Sequence, residues 1–496
     1  MEGRPSSAEG LLEAAREAAE FLGDRGSRDA PVRVVSHVDT DGQTSGAIIA
    51  KALQGAGISF QVRVIQQLDD QSLGDALSGD PSLVVLTDLG SGSLELLTSA
   101  LKDRSMLVLD HHQVIEAKAA AGRLLHVNPR LFNVSGENEL SASGTAYLVA
   151  KAMDAKNVEL SPVAVLGALG DLQDRNPGRS LRGMNTVIVQ DAVQAGLLTT
   201  DVDLLLFGRE TRPLHTALAN TTNPFLPGLS GEEDQCVALL SELGVPIKDG
   251  NRWRVLADLT QDEKKGLFNG IIAFLASRGF PASGSTGLIG NVYTLVREDE
   301  RTPLRDGREF SSLLNACGRA GRPGLGVTIA MGDRDRRDLE EARQVLADYR
   351  KTIAEAMRLL VGSRDRVKEL DAIYWVNCEN VVSDRMVSSV LSLLTTVPVF
   401  SSPKSLVATA TMEGGRLKVS ARGSEALVDR GLNLGLALAE ASSAVGGTGG
   451  GHRIAAGAVI PAAKREDFLK RTDALIAQQM EAGGLGPSRD QGQVRG

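Results

Sequence analysis

Four short clusters of acidic and histidine residues hold the chemical potential of this chain. His37, Asp39 and Asp41 alternate in SHVDTDG, and Asp88 follows the apolar run LVVLT. Asp110, His111 and His112 follow SMLVL, and Asp171 and Asp174 lie in GALGDLQD. In an extended segment, alternation puts residues 37, 39 and 41 on one face, so one imidazole and two carboxylates are expected to converge. Carboxylates and imidazoles without thiolates suit Mn2+ and tolerate Mg2+ or Zn2+. So many anionic groups in one cleft repel one another unless cations neutralise them. Two ions about 3.5–4 Å apart, bridged by one carboxylate, form a common solution for phosphoester hydrolysis. A single Asp at a strand end is ordinarily a turn or helix cap. Recurrence of the pattern, with three of the six histidines inside it, turns the reading toward a metal site.

The elements that must position these residues read as strands alternating with helices. Residues 31–42 are a strand running into a glycine-ended turn, and 42–57 have helical spacing. Further strands are expected at 60–66, 82–90 and 105–113, and helices at 143–154 and 161–169. This rhythm indicates an α/β domain over residues 1–204 with a mainly parallel sheet flanked by helices. The clusters fall at the carboxyl ends of its strands, where open parallel sheets build their sites. Residues 205–334 are rich in Pro and Gly and read as an inserted, mostly helical region, with helices near 231–243 and 261–278. Residues 335–362 read as a charge-laced connecting helix. Residues 363–483 return to α/β, with strands at 371–379 and 405–422, a glycine hairpin at 414–415, and a helix at 431–443 leading into GGTGGGHRIAAG. Residues 484–496 are expected to be a disordered tail.

Composition narrows the class. A chain of 496 residues exceeds what one core supports, so two or three domains are expected. A net charge of −8 argues against a generic basic nucleic-acid coat. Aromatic residues are 3% of the chain, too few for a surface that grips single strands mainly by base stacking. Residues 401–480 differ, with 10 Lys and Arg against 7 Asp and Glu, which fits contact with a few phosphates. Three widely separated cysteines argue against a disulfide scaffold or a cysteine zinc ribbon. No run of 18 apolar residues is present, and the N-terminal residues do not resemble a signal peptide. No membrane association and a cytoplasmic location are therefore expected.

HVDTDGQTSG, TDLG, LDHHQ and ALGDLQD resemble, in order and spacing, the four motifs of the DHH phosphoesterase superfamily. GGTGGGHRIAAG resembles the GGGH motif of its DHH-associated substrate-binding domain. The resemblance covers residues 31–200 and 370–480 and is strongest to RecJ-like single-strand nucleases of the archaeal group, with residues 308–333 resembling the archaeal insertion. It implies a two-metal centre, Mn2+ above Mg2+. His37, Asp39 and Asp88 would hold one ion. Asp41, Asp88, His111 and Asp171 would hold the other, with Asp88 bridging; the spacing GALGD favours Asp171 over Asp174. His37 stands where many bacterial members have an acidic residue. Asp110 would orient the histidine pair, and His112 would face the scissile phosphate. In the C-terminal domain, Arg422 matches a phosphate-contacting position; Gly449, Gly450 and Gly451 would let backbone N–H groups approach phosphate, and His452 would stabilise developing charge.

The expected function is a metal-dependent exonuclease releasing mononucleotides from single-stranded DNA or RNA in repair or replication. Its two lobes, joined by the 335–360 helix, would form a cleft that admits one strand. Two alternatives stand beside it: a small-substrate phosphodiesterase acting on nano-RNA or cyclic dinucleotides, and a non-catalytic replisome subunit that binds the GINS complex. Ser143 and Gly144 are candidates for capping a helix. His126, Asn128 and His215 read as structural, while Arg308, Arg319 and Arg322 fit either a nucleic-acid path or surface solubility.

Overall fold

The computed structural model describes residues 7–25, 30–101, 104–115, 123–176, 178–221, 224–280, 287–395, 397 and 404–483. The expected tail at 484–496 lies outside them. The chain divides into two units, with the division between Leu346 and Ala347.

Five parallel strands form the sheet of the first unit: β1 (Val32–His37), β2 (Phe60–Ile65), β3 (Val84–Thr87), β4 (Met106–Leu109) and β5 (Leu124–Val127). Their order is β2-β1-β3-β4-β5. Every residue of β3 and β4 is buried. These strands read as continuous apolar runs, as both-face burial in a parallel sheet requires. The chain reverses its direction of travel across the sheet between β1 and β3, which makes their carboxyl ends the topological switch point. Register does the rest. Ser36 pairs with Thr87, and Thr87 with Leu109, so the residues that follow, His37, Asp88 and Asp110, leave the sheet in one row.

The helix Thr40–Gly55 is buried from Thr40 to Ala50, enclosed by the helices Ala142–Met153, Ser161–Gly170, Gly307–Arg319 and Pro323–Ala330. Its first turn lies directly over the end of β1. A Cβ on Gly42 would stand 2.2 Å from the His37 carbonyl oxygen, so only glycine fits there. The sequence reading grouped residues 308–333 with the insertion, but in the structure the helices Gly307–Arg319 and Pro323–Ala330 pack on this buried helix. Gln43 ties the first of them to the loop after β1, its Nε2 donating to the carbonyls of Val38 (2.8 Å) and Leu314 (2.9 Å).

The antiparallel pair Leu198–Leu204 and Ile289–Leu295 brackets the intervening segment. That segment buries an apolar core of its own, including Leu214, Leu226, Leu240, Leu256 and Ile271.

The helix Arg336–Gly362 contains the division between the units. In the second unit, six strands are ordered Val367–Glu369, Ile373–Asn377, Ser405–Met412, Arg416–Arg422, Ala455–Pro461 and Thr448–Gly451. The hairpin at Gly414 and Gly415 forms with both glycines left-handed (φ +72° and +69°). Among the described residues, no helix is long and apolar enough to cross a membrane.

Replacing Gln43 by Ala removes the two buried hydrogen bonds that tie the β1 loop to the Gly307–Arg319 helix. The expected cost is about 2–3 kcal/mol, read as a lower urea midpoint at unchanged m-value; an unchanged midpoint would show that the clamp carries no stability.

Candidate metal centre

The expectation of an extended face through residues 37, 39 and 41 does not hold. Strand geometry ends at His37, and the helix begins at Thr40. Asp39 is the N-cap, its carboxylate accepting from Gly42 N at 3.1 Å, and Asp41 lies in the first helical turn. The cap turn, not the pleat, directs these side chains, and it divides them: His37 and Asp39 lie beside Asp88, and Asp41 beside His111 and Asp171. Asp41 is held from a distant element. Its two carboxylate oxygens accept from the backbone N–H groups of Ala142 (2.8 Å) and Ser143 (3.0 Å), at the N-terminus of the helix Ala142–Met153. The capping residue of that helix is Ser141, not Ser143 or Gly144. Ser143 Oγ donates instead to the Asp41 carbonyl.

Asp88 leaves β3 with φ +61°, a left-handed conformation that Asp adopts more readily than most side chains. Its carboxylate then stands between β1 and β4, with Oδ2 3.4 Å from His37 Nδ1 and Oδ1 3.2 Å from His111 Nε2. Asp110 is fully buried and builds the turn after β4. It accepts from the N–H groups of Ser91 (2.9 Å), His111 (2.8 Å) and His112 (3.2 Å), and from His112 Nδ1 (2.8 Å). Behind it, Asn128 Nδ2 donates to Ser91 Oγ and to the His112 carbonyl, and His126 Nε2 bonds Ser91 Oγ, so both residues support the turn. His111 Nδ1 lies 2.5 Å from the Gly136 carbonyl. A carbonyl only accepts, so Nδ1 carries the proton and Nε2 points at Asp88 and Asp41 (3.7 Å).

Asp171, at the end of the helix Ser161–Gly170, lies 3.7 Å from His111 Nδ1. Asp174 faces elsewhere and pairs with Arg308 (2.6 Å) and Arg179 (3.6 Å). Arg308 is thereby committed to an internal ion pair. Arg322 pairs with Glu341. Arg319 is different, for its charge helps hold down the Asp39 carboxyl, which places it at the rim of the cluster. His215 stacks beside Trp253, away from the cluster.

Ligand atoms of three sets lie within 4.8 Å of one another: His37, Asp39 and Asp88; Asp41, His111 and Asp171; and Asp88, Asp110, His111 and His112. Asp88 Oδ1 is buried without a well-formed hydrogen bond, its polar neighbours being His111 Nε2 (3.2 Å) and His112 Nδ1 (3.7 Å). A buried carboxylate oxygen left in that state is costly unless a cation approaches it. Hard oxygen and imidazole donors fit a divalent cation.

The titrations follow from crowding. Burial, then the Asp88 carboxylate, push Asp41 up to about 6, against His111. Burial pushes Asp171 up to about 7, with Asp41 and Asp88 adding and His111 opposing. Burial alone would lower His37, but Asp39 and Asp88 raise it to about 10. Burial likewise works against a charged His111, and Asp171, Asp88 and Asp41 overcome it, holding the ring well above its ordinary value. Asp110 goes the other way: burial raises it, but the paired His112 brings it well below the carboxylate range.

The second unit holds the remaining candidates. Arg422 ends its strand with Nε on Ser392 Oγ (2.9 Å) and Nη2 on Ser388 Oγ, both from the helix Val387–Leu394. Gly449, Gly450 and Gly451 lie in an edge strand, Thr448–Gly451, paired with Ala455–Pro461. A Cβ on Gly449 would meet Ser442 Oγ and the Leu438 carbonyl, so the run lets the strand lie against the helix Leu434–Ser443. His452 opens the turn that follows, its N–H donating to the Ala455 carbonyl at 2.8 Å.

Cation affinity should depend steeply on pH. As pH falls, Asp171 takes a proton near 7 and Asp41 near 6, and a carboxylic acid no longer offers its charge. Protons on His37 and His111 must leave before those nitrogens can bind a cation. Titration calorimetry of chelator-stripped protein with Mn2+ should show affinity falling between pH 7.5 and 5.5, with net proton release in buffers of differing ionisation heat. A flat profile without proton release would contradict a cluster that binds cations.

Residues 31–170 match the model of the DHH family N-terminal domain, 206–289 that of the DHH-CID domain, and 382–478 that of the DHHA1 domain. An uncharacterised protein of Methanocaldococcus jannaschii is 30% identical over 453 residues, covering 90% of this chain and 94% of that one. Among solved structures, CDC45 from Entamoeba histolytica superposes with a TM-score of 0.65 at 10% identity, over 94% of this chain and 99% of that one. RecJ from Thermus thermophilus, in complex with Mn2+, superposes with a TM-score of 0.55 at 17% identity; the match spans 94% of this chain and 55% of that longer one. The three family domains in sequence and the relative matched over nearly its whole length agree: the chain belongs to the DHH phosphoesterase superfamily, with a fold shared by RecJ and CDC45.

Proposed function

We propose that this protein is a metal-dependent exonuclease that hydrolyses single-stranded DNA or RNA to mononucleotides. The observation that carries the proposal is Asp88, whose two carboxylate oxygens face two different ligand sets from one left-handed residue. His37, Asp39 and Asp88 would hold one divalent ion, and Asp41, Asp88, His111 and Asp171 a second, with Mn2+ preferred and Mg2+ accepted. Such ions, when bound, supply a water of lowered pKa and neutralise phosphate oxygens.

The chain's own groups do the positioning. The helix N-terminus on Asp41 and the backbone donors on Asp110 fix the cluster without using Asp88 Oδ1. His112 is 36% exposed, and its Nδ1 is bound to Asp110. Burial lowers its pKa, but Asp110 outweighs it and raises it, so the ring keeps a proton and can present it at Nε2 to a phosphate oxygen or leaving group. In this reading the second unit binds the strand through Arg422, the backbone of Gly449–Gly451, and His452. Action in the cytoplasm, in repair or replication, is part of the proposal. A second reading, a replisome subunit that engages GINS, is favoured by the fold shared with CDC45. The complete carboxylate cluster favours catalysis, with or without such a partner.

The test uses end-labelled single-stranded DNA and RNA, with Mn2+ or Mg2+, followed for polarity and product length. Wild-type protein should shorten the strands from an end to mononucleotides. Asp88→Asn keeps a residue that tolerates the left-handed backbone but loses the bridging charge; its rate should fall at least about 100-fold with an unchanged melting temperature. Wild-type activity in that variant would overturn the proposal. Cleavage only of dinucleotides would move the substrate to the small-molecule class.

A further inference from the structure

Gln173 lies within the fourth motif, ALGDLQD, but no role has been assigned to it; it is 2% exposed and touches two parts of the cluster. Its Nε2 donates to the Gly136 carbonyl at 2.9 Å and to Asp171 Oδ2 at 3.1 Å. Its Oε1 accepts from Asn185 Nδ2 at 2.6 Å, and Asn185 is also 2% exposed. We infer that the chain Asn185–Gln173 is a positioning device for the Asp41–His111–Asp171 half of the centre, fixing the Asp171 carboxylate and the His111 ring together. The inference rests on the reading that these residues hold a cation.

The direction of the chain is set by chemistry. The Gly136 carbonyl and the Asp171 carboxylate are acceptors only, so the Gln173 amide must present its NH2 group to both. Its carbonyl oxygen then faces Asn185, which must answer with its own NH2. Asn185 is in turn fixed by its backbone N–H on the Glu139 carbonyl (2.8 Å). Glu139 closes the same loop by accepting from Ser135 N (2.7 Å). Gly136 is therefore held on both sides.

The Gly136 carbonyl is where the two ligands are coupled. It has two lone pairs, and it receives His111 Nδ1–H and Gln173 Nε2–H. It also stands too close to His111 for any other residue, since a Cβ would lie 2.1 Å from the His111 carbonyl oxygen. That same oxygen accepts from Arg130 Nε at 2.9 Å. One shared acceptor thus keeps His111 Nε2 aimed at Asp88 and Asp41 while its second donor steadies Asp171.

The backbone supports this placement. The helix Ser161–Gly170 ends with Gln173 N–H on the Ala168 carbonyl (3.0 Å) and Leu172 N–H on the Leu169 carbonyl (3.1 Å). This is a Schellman ending, in which the left-handed residue is usually glycine. Here it is Leu172, at φ +59° with its side chain 43% exposed. The turn it makes puts Asp171 at the cluster and returns Gln173 beneath it.

Mn2+ binding, measured without substrate by calorimetry and electron paramagnetic resonance on the full chain, tests the inference. Gln173→Leu keeps the approximate volume and loses all three bonds. One class of Mn2+ sites should weaken about 10–100-fold, while the class that includes His37 and Asp39 stays as in wild type. Asn185→Ala, the gentler variant should Gln173→Leu fold poorly, should shift the same class in the same direction by less. The double variant should bind no more weakly than Gln173→Leu alone, because both residues act through one amide. Excess Mn2+ should restore the turnover of Gln173→Leu with KM unchanged. Unchanged binding of both classes, equal weakening of both, or additive losses that track melting temperature would each overturn the inference, as would a wild-type chain that binds no Mn2+. A wild-type chain that binds Mn2+ in two classes but cuts no nucleic acid overturns the exonuclease reading and leaves this one standing.

Discussion

The centre exists because three parallel strands end in register. His37, Asp88 and Asp110 are far apart in the chain, but the pairing of β1, β3 and β4 delivers them to one row. The consequence is a concentration of negative charge with few ways to relax. Two carboxylates about 4 Å apart repel by roughly 4 kcal/mol at the effective dielectric of a protein surface, and by more when dry. Much of the surrounding structure answers this repulsion: a helix N-terminus on Asp41, backbone N–H groups on Asp110, and imidazoles raised toward the charged form beside Asp39 and Asp88. The upward shifts of Asp41 and Asp171 measure what those answers leave uncompensated.

Hydrogen-bond supply sorts the carboxylates by role. Asp110 and Asp174 have their acceptor capacity taken, one by backbone and His112, the other by two arginines. Each is a scaffold for something else: the histidine turn in one case, the Gly307–Arg319 helix in the other. Asp88 is the opposite, buried with one oxygen that has no well-formed hydrogen bond. Asp41 lies between, since two N–H donors fix its orientation and leave lone pairs free. Residues identical in type thus divide into those that build the site and those that can coordinate.

The strands, the buried helices and the clusters were legible because they depend on local pattern: apolar runs of strand length, each ending in a charged residue. The choice between Asp171 and Asp174 was not legible from the residues alone, because both follow the same helix and only long-range partners distinguish them. The alternation of residues 37, 39 and 41 suggested one shared face, whereas His37 and Asp39 join Asp88 and Asp41 joins His111 and Asp171. Period-two geometry needs a strand, and the Asp39 cap starts a helix there. The edge-strand pairing of the glycine run at 449–451 was not legible for a related reason. Glycine signals backbone freedom in sequence, whereas here its missing side chain admits a neighbouring helix. Gln173, though inside ALGDLQD, and Asn185 gave no sign of a role, because a neutral amide becomes significant only through its neighbours.

Backbone strain at the site follows from the same geometry. Asp88 and Leu172 are both left-handed, at φ +61° and +59°, and each occupies the first turn after an element that supplies the centre. Asp meets this demand at modest cost, whereas a leucine there carries roughly 1–2 kcal/mol. An exposed side chain offers no packing gain that would offset the cost. The Schellman bonds of Gln173 and Leu172 do so, together with the buried amide chain that begins at Gln173. Positional accuracy is thus held by bonds on both sides of the strained residue rather than by the residue itself. A cation-binding cluster requires that order of dependence: carboxylates that repel one another keep their places only when the backbone beneath them cannot yield.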